Sequence, residues 1–281
     1  MQFKGERYEV DMPWKPNAHE LPNKYEMAVN WLISTEKRLL KNPQLAGSYS
    51  DIISKYIHVQ KGYVSKVTPS KTEVKAWYLP HFAIVRPEKT TTKTGVVFDA
   101  SAKLDGLPLN GGICQGPKLQ RDIFDVLLRF PWFPVALVCD IAEMYRRIWI
   151  SPSSRLFHCF FWRDVDQSRS PDVYQFISLI FGVNSCHYQA QFVSQKHVRK
   201  NQEHYPKAAE TTLESTYIDD SMDSSPSKEE YVKLYEELSA LWGFAGMHAR
   251  KWLSNSEQVL KKIPEEDGAA EADLNRGICR Q

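Results

Sequence analysis

The chain of 281 residues has no apolar run of the ~18 residues that a membrane-spanning helix needs, so no membrane partner is expected. Its opening stretch, MQFKGERYEVDMPW, has no apolar signal-peptide core. Cysteine is scarce: Cys114, Cys139, Cys159, Cys186 and Cys279 are odd in number, widely spread and without a CxxC pair. That excludes a disulfide framework and a paired-cysteine zinc site, and reads as reduced thiols in an intracellular, cytoplasmic setting. No internal repeat or low-complexity tract occurs, which excludes a repeat array. A charge excess of one sign is also lacking, since 36 Lys and Arg face 34 Asp and Glu.

The content that is present, 42% hydrophobic and 25% charged, is that of a globular protein with ample chain for one or two domains. The small net charge of +2 is unevenly spread. Residues 61–103 hold eight Lys or Arg (Lys61, Lys66, Lys71, Lys75, Arg86, Lys89, Lys93, Lys103) against three acids, whereas residues 264–273 hold five acids and no base. A basic stretch points to a polyanionic partner, and equally to a solvated face.

Helical spacing of Val29, Leu32, Ile33, Leu39 and Leu40 predicts a helix ending at Asn42-Pro43, with a second over Tyr49–Ile57. Residues 63–100, rich in Val, Thr and aromatics, read as a β-hairpin region. RDIFDVLLRF reads as an amphipathic helix with Ile123, Val126, Leu127 and Phe130 on one side. VALVCDI reads as a strand buried on both faces, and YQFISLIF as another strand broken at Phe181-Gly182. A helix over Asn184–Gln202 follows. After the strand-like STYIDDSMD, Ser227 and Glu230 stand at capping-box spacing before a helix with Leu234, Leu238, Leu241 and Trp242 as its stripe. Such mixed order predicts an α+β fold.

The chemistry lies in three acids. Asp140 ends an apolar strand, where an Asp also serves as a helix cap or turn residue. Asp219 and Asp220 adjoin within YIDD, a Tyr-x-Asp-Asp string that chance supplies in about one such chain in thirty. If both strand-like segments are neighbours in one sheet, three carboxylates converge. Like charges so close repel unless a cation lies between them. Hard oxygen ligands suit Mg²⁺ (or Mn²⁺), and a metal pair about 4 Å apart serves in-line phosphoryl transfer.

VCDIAEMYRRI and YIDD resemble the two catalytic motifs of reverse transcriptases. The longer strings RYEVDMPWKPNAHELPNKYEMA, YLPHFAIVRP, VVFDASAK, LNGGICQGPKLQRDIFDVLLRF, FFWRD, FGVNSC and HARKWLSNS resemble, in order, the reverse transcriptase region of Bel/Pao-class LTR retrotransposons, over residues 5–264. The resemblance implies a right-hand polymerase fold of fingers and palm, with a small antiparallel sheet backed by helices. It implies a helical extension over 1–62, fingers over 63–134 and a palm over 135–264 with an inserted fingers segment at 151–175; beyond the match, the acid-rich composition of 265–281 reads as a disordered tail. The activity implied is RNA-directed DNA synthesis on an RNA or DNA template with primer, from dNTPs, in the cytoplasm, virus-like particles or nucleus. It leaves the oligomeric state open.

By the same resemblance Asp140, Asp219 and Asp220 hold the metals, and Lys251 protonates the departing pyrophosphate. Tyr145 is the steric gate against a 2′-hydroxyl, where composition alone favours a core tyrosine. Glu143 and Met144 lie along the triphosphate, Gly182 flanks the nascent base pair, and Arg86 and Lys93 grip phosphates. Lys251, Arg86 and Lys93 also read as solvated surface and Gly182 as an ordinary strand-to-helix break, and Trp252 reads as packing. Three departures stand out: Gly95 where relatives carry a base, His187 where they carry Pro, and a chain that stops before thumb and RNase H. The alternative is an inactive remnant or a nucleic-acid-binding protein.

Overall fold

The periodicity beyond residue 24 becomes the helix Tyr25–Leu39, which buries Ala28, Leu32, Thr35, Glu36 and Leu39 on one side. Pro43 opens the next helix, Pro43–Ile57, at the first helical position, where its missing N–H is no loss. That helix therefore starts six residues before its expected beginning at Tyr49. The structure, a computed structural model, describes residues 1–16, 18, 25–57, 62–67, 76–86, 94–103 and 106–269. It divides into two units. Among the described residues no helix is long and apolar enough to cross a membrane.

The first unit comprises Met1–Gln2, Glu9–Gly116 and Ile148–His187. The expected hairpin region separates into two parts. His81–Val85 and Thr94–Phe98 pair as an antiparallel hairpin. Val64–Val67 instead joins Asp172–Phe176, whose other edge takes Cys159–Trp162. The strand expected over YQFISLIF thus lies earlier, at Asp172–Phe176. Beyond it the backbone leaves the ladder, Ile177 N–H donating to Tyr63 O and Leu179 N–H to Ile148 O. Leu39, Tyr49, Ile53, Trp77, Phe98, Phe160, Trp162 and Phe176 fill the core. The fully buried Glu36 accepts two bonds from Arg163, 2.8 and 2.7 Å long, so the buried charge is paired.

The second unit comprises Phe3–Tyr8, Pro117–Arg147 and the chain from Tyr188 onward. Its antiparallel sheet runs in the order Thr216–Tyr217, Asp220–Ser225, Val135–Ile141, Ala249–Leu253. The central strand Val135–Ile141 is not buried on both faces. Val135, Leu137, Cys139 and Ile141 are buried, while Ala136, Val138 and Asp140 alternate with them on a more open face. This is the pattern of an antiparallel sheet covered by helices on one side. Helix Lys228–Gly243 supplies that cover with Tyr231, Leu234, Leu238, Leu241 and Trp242, and its N-cap Ser227 accepts from Glu230 N–H as expected. Helix Cys186–Asn201 begins at Cys186 with His187 already in its first turn, so a non-proline there does not delay it. His197 on that helix binds Leu241 O and Tyr8 Oη, and burial holds its imidazole below the usual range.

The helix Ile123–Arg129 differs from its expected amphipathic placement. Asp122 caps it by accepting from Phe124 N–H, but of the expected stripe only Val126 is fully buried, and Ile123 and Leu127 are exposed. Seven residues make only about two turns, and of them Val126 alone is buried. Polar bonds such as Arg121 Nε to Leu213 O hold the segment in place.

Candidate active site

Asp140 is the sixth residue of Val135–Ile141 and lies on its open face. Register places Asp220 directly across from it on one side and Arg250 on the other. Residues directly opposite in an antiparallel ladder share a face, so a carboxylate, a carboxylate and a guanidinium stand in a row. Asp219 is not on a strand. Tyr217 pairs with Asp220, which leaves Ile218 and Asp219 as a two-residue hairpin loop.

That loop is strained. Ile218 sits at φ 64°, where a two-residue hairpin ordinarily takes glycine, and a β-branched side chain there costs about 1–3 kcal/mol. Two bonds hold the turn: Gln191 Nε2 donates to Ile218 O at 3.0 Å, and Ile141 N–H donates to Asp219 O at 2.9 Å. Together they keep Asp219 beside the end of the central strand.

The electrostatics follow from this crowding. Burial first, then the Asp220 charge and less strongly that of Asp140, push the Asp219 carboxyl up to about 6, with Lys251 opposing. Asp220 is also raised, by desolvation and then by Asp140, although its side chain reaches solvent. Beneath them the Cys139 thiol is held far above its ordinary range by burial, so it is no nucleophile. Asp140 is charge-paired: Arg250 Nε lies 3.2 Å from Oδ1 and Lys251 Nζ 3.0 Å from Oδ2.

Among the described residues no group of three or more His, Cys, Asp or Glu side chains stands ready-made for a metal ion. The donor chemistry nevertheless fits a hard divalent cation. Asp219 and Asp220 are oxygen donors whose charges repel each other and that of Asp140, a cost that an added cation relieves.

Glu143, at φ 53°, leads from Asp140 into the 3₁₀ turn Met144–Arg147, where Met144 and Tyr145 are buried. The structure therefore brings together Asp140, Asp219, Asp220 and Lys251, with Glu143, Met144 and Tyr145 on the segment that follows Asp140. Arg86 and Gly182 belong to the first unit. Arg86 is exposed at the end of strand His81–Val85. Gly182 is at φ 108°, and a Cβ there would meet Phe98 O at 2.0 Å, so glycine is required. Lys93, like Lys89, lies outside the described residues. Trp252 is fully buried and packs edge-on against Tyr235.

Two residues escaped sequence reasoning. Asn110 knots the Gly182 segment: its Nδ2 donates to Gly182 O at 2.9 Å, and its Oδ1 accepts from Asn184 N–H at 2.9 Å. Its position inside the string LNGG was its available signal. Arg250 had only its neighbour Lys251 as a signal.

No protein-family model matches the chain, and no curated protein does. Among solved structures it is similar to the foamy viral protease-reverse transcriptase in complex with RNA/DNA hybrid, with a TM-score of 0.54 and 15% sequence identity. The match covers 74% of this chain and 24% of that one, so the chain spans about a quarter of that protein's length. The chain has a reverse transcriptase-like α+β fold.

Proposed function

We propose that this chain is the fingers-and-palm region of a Bel/Pao-class retrotransposon reverse transcriptase, an RNA-directed DNA polymerase that extends a primer on an RNA or DNA template from dNTPs. The observation that carries this reading is the set of mutually repelling carboxylates Asp140, Asp219 and Asp220 at one end of a four-stranded sheet, with Lys251 on the same cluster. The reverse transcriptase-like fold supports it.

In this reading Asp140 and Asp219 would hold Mg²⁺ (or Mn²⁺), with Asp220 beside them. Bound there, the metal supplies charge neutralisation for the triphosphate and activation of the primer 3′-hydroxyl. Lys251 holds a proton at Nζ for the leaving pyrophosphate. The buried Tyr145 limits room beside the sugar, and the backbone of Glu143 and Met144 lines the phosphate path. Arg86, Lys93 and Gly182 serve nucleotide binding by the same resemblance. One observation favours a second reading, a nucleic-acid-binding remnant: Gly95 leaves a strand position without the expected phosphate-binding base.

Primer extension with the purified chain tests the proposal. Extension should depend on Mg²⁺ or Mn²⁺ and fall more than about 100-fold in Asp140→Asn and in Asp219→Asn. Tyr145→Ala should admit ribonucleotides. A folded chain that extends no primer, even with Gly95→Arg, supports the remnant instead.

A further inference from the structure

Each carboxylate oxygen of Asp140 is taken by a different cation from one strand, Oδ1 by Arg250 Nε at 3.2 Å and Oδ2 by Lys251 Nζ at 3.0 Å. Consecutive residues of a regular strand point to opposite faces, so an unbroken ladder would turn one of the two away. Here the register between Ala249–Leu253 and the central strand shifts after Arg250, and Lys251 sits at φ 54°. This bulge re-aims Lys251 to the face that Arg250 already occupies. A non-glycine residue reaches that conformation only under strain. Pairing Asp140 requires none of it, because Arg250 alone stands opposite in register. Meanwhile, among the described residues, no ion pair forms on Asp219 or Asp220. Two cations thus lie within ion-pair distance of one carboxylate, while Lys251 reaches the acidic neighbours Asp219 and Asp220 only through the longer range of its charge.

We infer that Arg250 is a positioning residue that competes with a divalent cation for Asp140 and, with Lys251, keeps that carboxylate closed until a nucleotide arrives. The inference rests on the polymerase reading for the identity of the competing ions. A guanidinium stays protonated throughout the ordinary pH range, so the closure opens by exchange of ions and not by titration. A triphosphate draws Arg250 and Lys251 toward its oxygens, and the vacated Asp140 oxygens accept the cation. Cation and nucleotide therefore bind cooperatively, each strengthening the other by the same factor. Arg250 and Lys251 side chains are 42% and 44% exposed, which permits that movement without unpacking the core.

The test is Mn²⁺ titration of the full chain, with free Mn²⁺ read by electron paramagnetic resonance, with and without a non-hydrolysable dNTP analogue. Without nucleotide, Arg250→Met should bind Mn²⁺ about threefold more tightly than wild type, and Arg250→Met with Lys251→Met about tenfold, as expected for freeing one and then two partly exposed ion pairs. Arg250→Lys should restore wild-type binding. The tightening that the analogue causes in wild type should shrink in Arg250→Met. Circular dichroism checks that each variant is folded. Unchanged or weaker binding in Arg250→Met, while Asp140→Asn weakens binding in wild type, would overturn the role of Arg250 and leave the polymerase reading standing. Mn²⁺ binding indifferent to Asp140→Asn in every background would overturn the polymerase reading, and the inference with it.

Discussion

Asp219→Asn should make the protein more stable at neutral pH while abolishing the proposed primer extension. The folded chain raises the Asp219 carboxyl from 3.8 to about 6, chiefly by burial and then by the Asp220 charge. Between those values the folded state holds a proton that the unfolded state has released. Stability therefore falls as pH rises from 3.8 through about 6, and stays lowered above it. At about 1.36 kcal/mol per pH unit this interval amounts to about 3 kcal/mol. Asp219 is only partly buried, and solvent screening reduces the figure to about 1–2 kcal/mol. An amide of the same shape escapes the penalty. Calorimetry in EDTA should show a Tm gain of about 2–8 °C for Asp219→Asn at pH 7.5 and none at pH 4, where wild-type Asp219 is itself neutral. Added Mg²⁺ should narrow the gap by stabilising wild type alone. A variant no more stable than wild type at pH 7.5, or a gain equal at both pH values, would refute the reasoning.

Two further changes probe the backbone. Gly182→Ala should cost about 3–5 kcal/mol in urea unfolding, because the new Cβ lands 2.0 Å from Phe98 O at a φ of 108°. Gly243→Ala, with nothing within 4 Å of its Cβ at the end of a helix, should be neutral or slightly stabilising, and equal costs for the two would discard the steric argument. Gly95 also has open space around its Cβ, so Gly95→Arg should leave stability within about 0.5 kcal/mol and lower the nucleotide KM several-fold. An unchanged KM would detach this strand position from nucleotide binding.

What the sequence determined by itself was local. Ser227 and Glu230 marked a helix start because a cap needs only neighbours three residues apart, and Leu234, Leu238, Leu241 and Trp242 marked its buried stripe because helical period is a property of the segment. The apolar run ending in Asp140 and the paired acids of YIDD were legible for the same reason. Pairing was another matter. Val64–Val67 binds Asp172–Phe176 across a hundred residues, a choice made by the shared core and written in no local pattern. The turn at Ile218-Asp219 carries no glycine or asparagine to announce it, because bonds from Gln191 and Ile141 hold a conformation its own residues disfavour. Arg250 became part of the cluster only through register and a bulge. A charged residue's partner is chosen by which strand lies beside it, and that is a property of the assembled sheet, not of the chain order.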